Sequence, residues 1–456
     1  MDGIMLWDSY NQTINVFGIK NELIASYLDR ELVDDRFKSA IKDGKEVVVY
    51  GASKQGKTSL ILRNISEQTY VKVECSPKST PIDIYKSILR QLDVTFYDSI
   101  SQSLSHTKAF STLDNFKISI PCSFEYNKTF SSENDIKIEN STTERMIDYN
   151  LSLSQDVIEL FKKYLNNKYI ILENFHYLNM EVQEQLAYDL RSFQDNHIVF
   201  IILGIWRESN RLVQFNGDLL DRVTEVPVEP WRKEDLSKVI DKGSELLNVD
   251  FTEIKDDLIL SCFNSIGILQ ELCKECCLNA GVISTSNNLV VITKSHLENA
   301  IKNKVSQYGI RHVRNFESFV EVSKQTSSQS GKPTLAIPYY FIKILLSDNK
   351  IDMEQGLSRK DLLDSIRSIH HRPDDVRSSD IGSFLNGITQ YQINRRINPP
   401  FIDYDAGVKR LKIIDSTLFF FLRYCDKEEI LSDLINPLDF SSAKLIEDLF
   451  SNENYE

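Results

Sequence analysis

Nowhere in these 456 residues does an apolar run approach the roughly 18 residues that a bilayer-spanning helix needs. Leu418-Phe419-Phe420-Phe421-Leu422 is apolar but short, and it reads as one turn of a buried helix. The first residues, Met1 to Asp8, lack a basic stretch followed by a long apolar one, so no secretory signal is expected and the chain is placed in the cytoplasm, away from membranes. Cysteine is sparse, at seven residues, which predicts reduced thiols. Cys273 and Cys276 have Cys-x-x-Cys spacing, yet no second Cys or His pair lies nearby to complete a zinc site. The helical spacing of Ile268, Leu269, Leu272 and Cys276 favours thiols packed as small hydrophobes. There is no internal repeat. What remains is an ordinary globular composition, 41% hydrophobic and 26% charged, with length for two or three domains.

Acidic residues are in excess, at a net charge of −13, but unevenly. Between Ile301 and Cys425 there are 19 Lys+Arg against 13 Asp+Glu, a local balance of +6 that leaves −19 for the rest. Such asymmetry points to an anionic partner for the C-terminal part.

One segment carries specific chemistry. Gly51-Ala52-Ser53-Lys54-Gln55-Gly56-Lys57-Thr58 fits the phosphate-binding pattern of Gly, four free positions, Gly, Lys, then Ser or Thr. Glycines at both ends let the backbone curl around a phosphate, so that successive N–H groups, through Ser59, donate to its oxygens. Lys57 reaches the outer phosphates and Thr58 offers a hydroxyl to Mg²⁺. Glu46–Tyr50 reads as a buried strand entering this loop, and Thr58–Arg63 as a helix whose N-terminus favours anions. ATP and Mg²⁺ are the expected ligands.

Further apolar runs place the remaining elements. Tyr70–Cys75, Lys168–Leu172, His197–Leu203 and Arg222–Val228 read as strands, with helices expected at Val33–Lys42, Thr80–Asp93, Asp156–Leu165 and Met180–Phe193. Near-continuous apolar strands separated by helices predict a parallel sheet covered on both faces. Phe116–Tyr126 and Asp135–Glu139 interrupt that pattern as a hairpin. The organisation expected is a lead-in (1–45), a P-loop domain (46–230) with a β insertion (about 95–150), a helical lid (231–323) in which Gly267 interrupts a helix pair, a C-terminal module (335–425) and a helical tail (426–456).

Around the loop, Glu173 ends the third strand, where an acidic residue supports magnesium or polarises the attacking water. Asn174 stands where a second carboxylate is usual, so Glu173 must serve more than one role or hydrolysis is slow. His176 is a second water-orienting candidate, against a helix-start hydrogen-bonder. Arg207, with Asn210 second, follows the fourth strand as a γ-phosphate contact. Arg222 precedes the fifth, either as a cation for a neighbouring subunit's nucleotide or in a surface ion pair with Asp218 or Asp221.

This order of Arg30-Glu31 lead-in, P-loop, acidic strand end, Arg207, Arg222 and a lid with Ser265-Ile266-Gly267 resembles AAA+ and STAND ATPases, with origin-recognition-type and prokaryotic AAA-family proteins as the closest flavours. The resemblance implies an α/β P-loop NTPase with a five-stranded parallel sheet, an α-helical lid and a C-terminal winged helix. Leu269 and Gln270 depart from it, standing where many AAA+ lids carry a sensor arginine, and this is more like a STAND switch than a processive motor. Ser358–Asp361 reads as a helix cap, Ser378–Asn394 as a third helix, and Phe401–Ile414 as a hairpin wing turning near Asp405–Gly407. Arg395, Arg396, Lys409, Arg410 and Lys412 would meet DNA phosphates if the module touches DNA; otherwise it packs on the ATPase. The readings carried forward are an ATP-hydrolysing, oligomeric switch controlling a separately encoded effector in DNA transactions or antiviral defence, an ATP-regulated DNA-binding loader, and a nucleotide-binding scaffold with little turnover.

Overall fold

Five short apolar runs become the five strands of one parallel sheet in the computed structural model, which describes residues 11–20, 22–98, 117–132, 135–206, 211–321, 334–347 and 356–436, with the backbone alone for 122–145 and 211. The strands are β1 (Glu46–Tyr50), β2 (Tyr70–Glu74), β3 (Tyr169–Glu173), β4 (Phe200–Gly204) and β5 (Val223–Pro227), in the order β2-β3-β4-β1-β5. Because side chains alternate along a strand, Val47 and Val49 enter one apolar layer and Val48 and Tyr50 the other. Helix Arg36–Lys42 and the loop helix α1 (Lys57–Asn64) cover the first face. Helices α2 (Pro81–Gln91), α3 (Ser154–Tyr164) and α4 (Met180–Gln194) cover the second. The expected two-faced parallel sheet is therefore present. β4 starts later than the apolar run implied, because His197 turns the chain at φ 61° while Ile198 N–H still bonds Phe193 at the end of α4.

Between α2 and α3 two long antiparallel strands, Lys117–Ser132 and Asp135–Asn150, form a ribbon whose root is joined by the short strand Tyr97–Asp98. Ile118, Ile120 and Tyr149 are buried at its root, in the same layer as α2 and α3.

Beyond β5 the chain is helical: α5 (Lys233–Leu247), α6 (Ile266–Asn279) and the long α7 (Lys294–Val320). Gly267 does not interrupt a helix pair. It lies in the first turn of α6, and the break before it is made by Phe263 and Asn264 at φ 50° and 54°, with Ser265 as N-cap. Cys262, Cys273, Cys276 and Cys277 are all buried and free, packed as small apolar groups. Burial pushes the Cys262 and Cys277 thiols up to about 12.

The C-terminal module contains α8 (Ile337–Leu346), β6 (Leu357–Ser358), α9 (Arg359–Ile369), α10 (Ser378–Asn386), α11 (Ile388–Asn394), β7 (Ile402–Asp405), β8 (Arg410–Ile413) and α12 (Ser416–Tyr424). Its strands pair antiparallel in the order β6-β8-β7, a winged-helix arrangement. The third helix is not continuous as expected: Gly387 ends α10 and α11 restarts from it, because glycine is a poor helix interior. No helix among the described residues is long and apolar enough to cross a membrane.

Lid and C-terminal module share one apolar core. The second half of α7 lies along α12, where Phe316 packs 6.5 Å from Phe421 and 6.0 Å from Phe401, and Tyr308 meets Phe420 edge-on at 5.9 Å. Phe316 has no solvent exposure. Phe316→Ala is therefore expected to cost about 3–5 kcal/mol, the range for truncating a buried aromatic ring. A fall in the denaturant midpoint would report it.

Candidate functional site

β1 ends against its neighbour so closely that the chain has little choice of residue. Gly51 sits at φ 149°, and a Cβ there would lie 2.8 Å from Val228 Cγ2. Gly56, at φ 90°, supplies the second left-handed turn and leads into α1. Between them the loop closes over Lys57, whose Nζ donates to Gly51 O (2.9 Å) and Ala52 O (2.7 Å). Part of the Lys57 chain meets solvent, but its ammonium lies deep in the loop, and burial lowers its pKa to about 8 against the opposing pull of Glu229 and Glu173. The curled backbone, helix N-terminus and enclosed cation form a ready anion site.

Two oxygen donors converge beside it. Thr58 Oγ1 donates to Glu173 Oε1 at 3.3 Å, so the hydroxyl and carboxylate expected to hold a hard divalent cation do meet. The other carboxylate oxygen, Glu173 Oε2, accepts from Lys72 Nζ on β2 at 2.9 Å, a partner the sequence reading did not include. Asn174 follows at φ 61°, turning the chain away from β3. His176 is buried, and its Nδ1 accepts from the Ile205 N–H at 3.3 Å, which ties the ends of β3 and β4 together.

The outer side of the loop is met by four other segments. Gln55 Nε2 donates to Ser265 Oγ at 3.1 Å, and Trp231 Nε1 to Gln55 O at 3.3 Å. A Cβ on Gly267 would sit 2.7 Å from Lys54 O, so the lid helix touches the loop backbone directly. The Lys54 ammonium lies 5.6 Å from the Tyr308 ring centroid. Ser416 Oγ, at the start of α12, donates to Ser53 O at 3.3 Å. Ser416 is itself placed by Asp415, whose carboxylate takes the Thr417 N–H and pairs with Arg311 of α7.

On the lead-in side, Arg30 stacks 3.8 Å above Trp231 and donates to Val228 O at 2.8 Å. Arg30, Tyr27, Trp231 and Gln270 line a cleft of about 240 Å³ that opens onto residues 53–59 and Glu173. Trp231 and Glu229 were missed by the sequence reading. The only available signal was their place just after β5, since their contacts are with residues some 180 positions earlier.

Arg207 and Asn210 lie outside the described residues. Arg222 does not pair with Asp218 or Asp221; its guanidinium reaches across to Gln194 and Asp195 at the end of α4, while Asp218 pairs with Arg191. Its carbonyl accepts from Glu46 N–H at the start of β1, which puts it at the opposite end of the sheet from this chain's own phosphate loop. Of the five basic residues on the wing side, three are engaged. Arg395 meets Glu321 and Ser318 O, Arg410 donates to Gly356 O, and Lys412 pairs with Asp405. Arg396 and Lys409 are exposed.

The charge on Lys57 is present below about pH 8 and lost as the pH rises through that value. Affinity for a nucleoside triphosphate is accordingly expected to hold near neutrality and then fall by up to about tenfold per pH unit. Titration calorimetry across that interval would show it.

No protein-family model matches the sequence, and no curated protein matches it. Solved structures overlay on it loosely. The Walker-type ATPase PABY2304 of Pyrococcus abyssi is 14% identical, covering 90% of this chain and 99% of that one, at a TM-score of 0.42. The Aeropyrum pernix ORC1 protein, solved in complex with DNA, is 10% identical over 93% and 99%, at 0.41. The STAND protein PH0952 of Pyrococcus horikoshii, which has a tetratricopeptide repeat sensor, is 12% identical over 94% of this chain and 45% of that one, at 0.34. Overlays this loose leave the architecture to rest on the chain's own strand order and loop geometry. With β1 central in a β2-β3-β4-β1-β5 parallel sheet, the glycine-bounded loop between β1 and α1, and a helical lid and winged helix beyond, the chain has the fold of an AAA+-type P-loop ATPase.

Proposed function

We propose that this chain is an ATP-binding, slowly hydrolysing switch whose nucleotide state is read by its lid and winged helix. The observation that carries this reading is the threefold grip on the loop: Ser416 on Ser53, Gly267 against Lys54, and Ser265 with Trp231 on Gln55. A loop so held cannot adapt to a triphosphate without passing the change to the lid and the C-terminal module.

Residues Gly51 to Ser59 would cradle the phosphates, with Lys57 turning from Gly51 O and Ala52 O towards the β- and γ-oxygens. Thr58 and Glu173 fit Mg²⁺, which when bound supplies charge neutralisation along the phosphates. Glu173 would also have to polarise the attacking water, yet Lys72 shares its carboxylate and Asn174 adds no second base. Slow turnover follows, and a long-lived ATP state suits a switch. Arg207 would sense the γ-phosphate. Arg222, at the far end of the sheet, would act on a neighbouring subunit's nucleotide in an oligomer, after exchanging Asp195 and Gln194 for it. The chain would thereby control a separately encoded effector, in a DNA-transaction or defence setting. DNA binding by the module is the weaker reading, since only Arg396 and Lys409 of the five basic residues face solvent freely enough to meet phosphates.

Calorimetry with Mg²⁺ and ATP tests the binding reading; no heat of association with folded protein would end it. Phosphate release should be slow but above the Lys57→Ala background, and equal rates would leave only the non-hydrolysing scaffold. Arg311→Ala removes the pin on Asp415 without touching the loop. We expect release of bound fluorescent nucleotide to speed up about five-fold, corresponding to roughly 1 kcal/mol of lost charged hydrogen bonding.

A further inference from the structure

We propose that Glu229 is an electrostatic gate on the phosphate site, a carboxylate fastened beside the loop that opposes the entry of nucleotide phosphates. The proposal rests on the ATP-binding reading above and adds a residue that nothing in the loop motif designates.

The backbone geometry shows how Glu229 comes to be there. The β1–β5 ladder proceeds normally as far as Val228, whose N–H bonds Tyr50 O at 3.0 Å. The next carbonyl, Val228 O, is taken by Arg30 Nη1 at 2.8 Å. The Ala52 N–H therefore finds its acceptor in a side chain, Glu229 Oε1, at 3.0 Å. A formal negative charge thus fills a place that an uncharged carbonyl would fill equally well. The approach depends on Gly51, since a Cβ there would lie 3.3 Å from Glu229 Cγ and 2.8 Å from Val228 Cγ2.

The charge shares a loop residue with the cation that would meet the ligand. Ala52 holds Glu229 through its N–H and the Lys57 ammonium through its C=O. Among the carboxylates, Glu229 acts more strongly on Lys57 than Glu173 does. A phosphate that reaches Lys57 would therefore meet the field of a like charge bonded to the same loop residue, in surroundings where screening by water is reduced. Relief of that repulsion has an outlet. Glu229 leads through Pro230 to Trp231, which bonds Gln55 O, and α5 of the lid begins at Lys233. A carboxylate pushed from Ala52 would drag the entry to the lid with it.

Glu229→Gln separates the gate from a mere ladder cap, because it keeps the Oε1 acceptor for Ala52 and removes only the charge. The gate predicts that the Gln variant binds ATP about five-fold or more tightly than wild type by calorimetry at neutral pH. It also predicts the same gain for tripolyphosphate, which has phosphates but no base or sugar, and near-wild-type affinity for Glu229→Asp, which keeps the charge. Equal or weaker binding of both ligands by the Gln variant would overturn the proposal, as would a gain for ATP that tripolyphosphate does not share. A wild type that ignores ATP, beside a Gln variant that gains affinity for tripolyphosphate, would count against the nucleotide reading and leave the gate standing.

Discussion

An ammonium group must be kept charged inside the protein, and the surroundings of the loop are arranged around that requirement. Removing a cation from water is costly unless dipoles or opposite charges replace the lost hydration. For Lys57 the replacements are two carbonyls of its own loop, at Gly51 and Ala52, aided by the opposite charges of Glu229 and Glu173. Those carbonyls can face inward only because Gly51 adopts a backbone angle closed to other residues. Val228, which a Cβ on Gly51 would strike, is in turn bonded by Arg30 from the lead-in. The candidate phosphate site is thus assembled from segments far apart in sequence, with the loop at their meeting point.

From that point outward, polar contacts give way to apolar packing. Near the loop the lid and the winged helix are represented by single hydrogen bonds, each worth little after exchange with water. A turn further away the same elements merge into one core containing Phe316, Phe420 and Phe421. Weak contacts at the loop and strong packing behind it are suited to a part that moves as a unit. The lid and module would shift together, and the hydrogen bonds to Ser53 and Gln55 would be the ones exchanged.

What the sequence made legible was the chemistry that is local. The loop, its strand and its helix sit within some twenty residues, and the apolar runs of β3 and β4 could be found because a strand buried on both faces needs no partner to reveal itself. The Ser358 cap and the wing turn were legible for the same reason. Partners across the fold were not. Arg222 was read either as a cation for a neighbouring subunit's nucleotide or as a partner of Asp218 or Asp221; within the chain it bonds neither aspartate but Gln194 and Asp195, at the end of α4. Lys72 meets Glu173 because β2 and β3 are neighbours in register, with Glu74 opposite Glu173, and no spacing rule encodes that. The basic residues on the wing side formed one cluster in the sequence reading, but folding commits Arg410 and Lys412 to a carbonyl and an acid of their own module, and Arg395 to Ser318 O and Glu321 at the end of α7.

The absent second carboxylate bears on more than rate. A site built for rapid turnover needs a base that is free to take a proton from water, close to a metal already held by another acid. Here Glu173 is bound to Thr58 and Lys72 at once, so its two oxygens are committed before any water is considered. A carboxylate in that position is better at holding than at abstracting. Under the switch reading proposed above, its chemistry agrees with the mechanics of the loop: both would favour a bound state that persists over one that is quickly consumed.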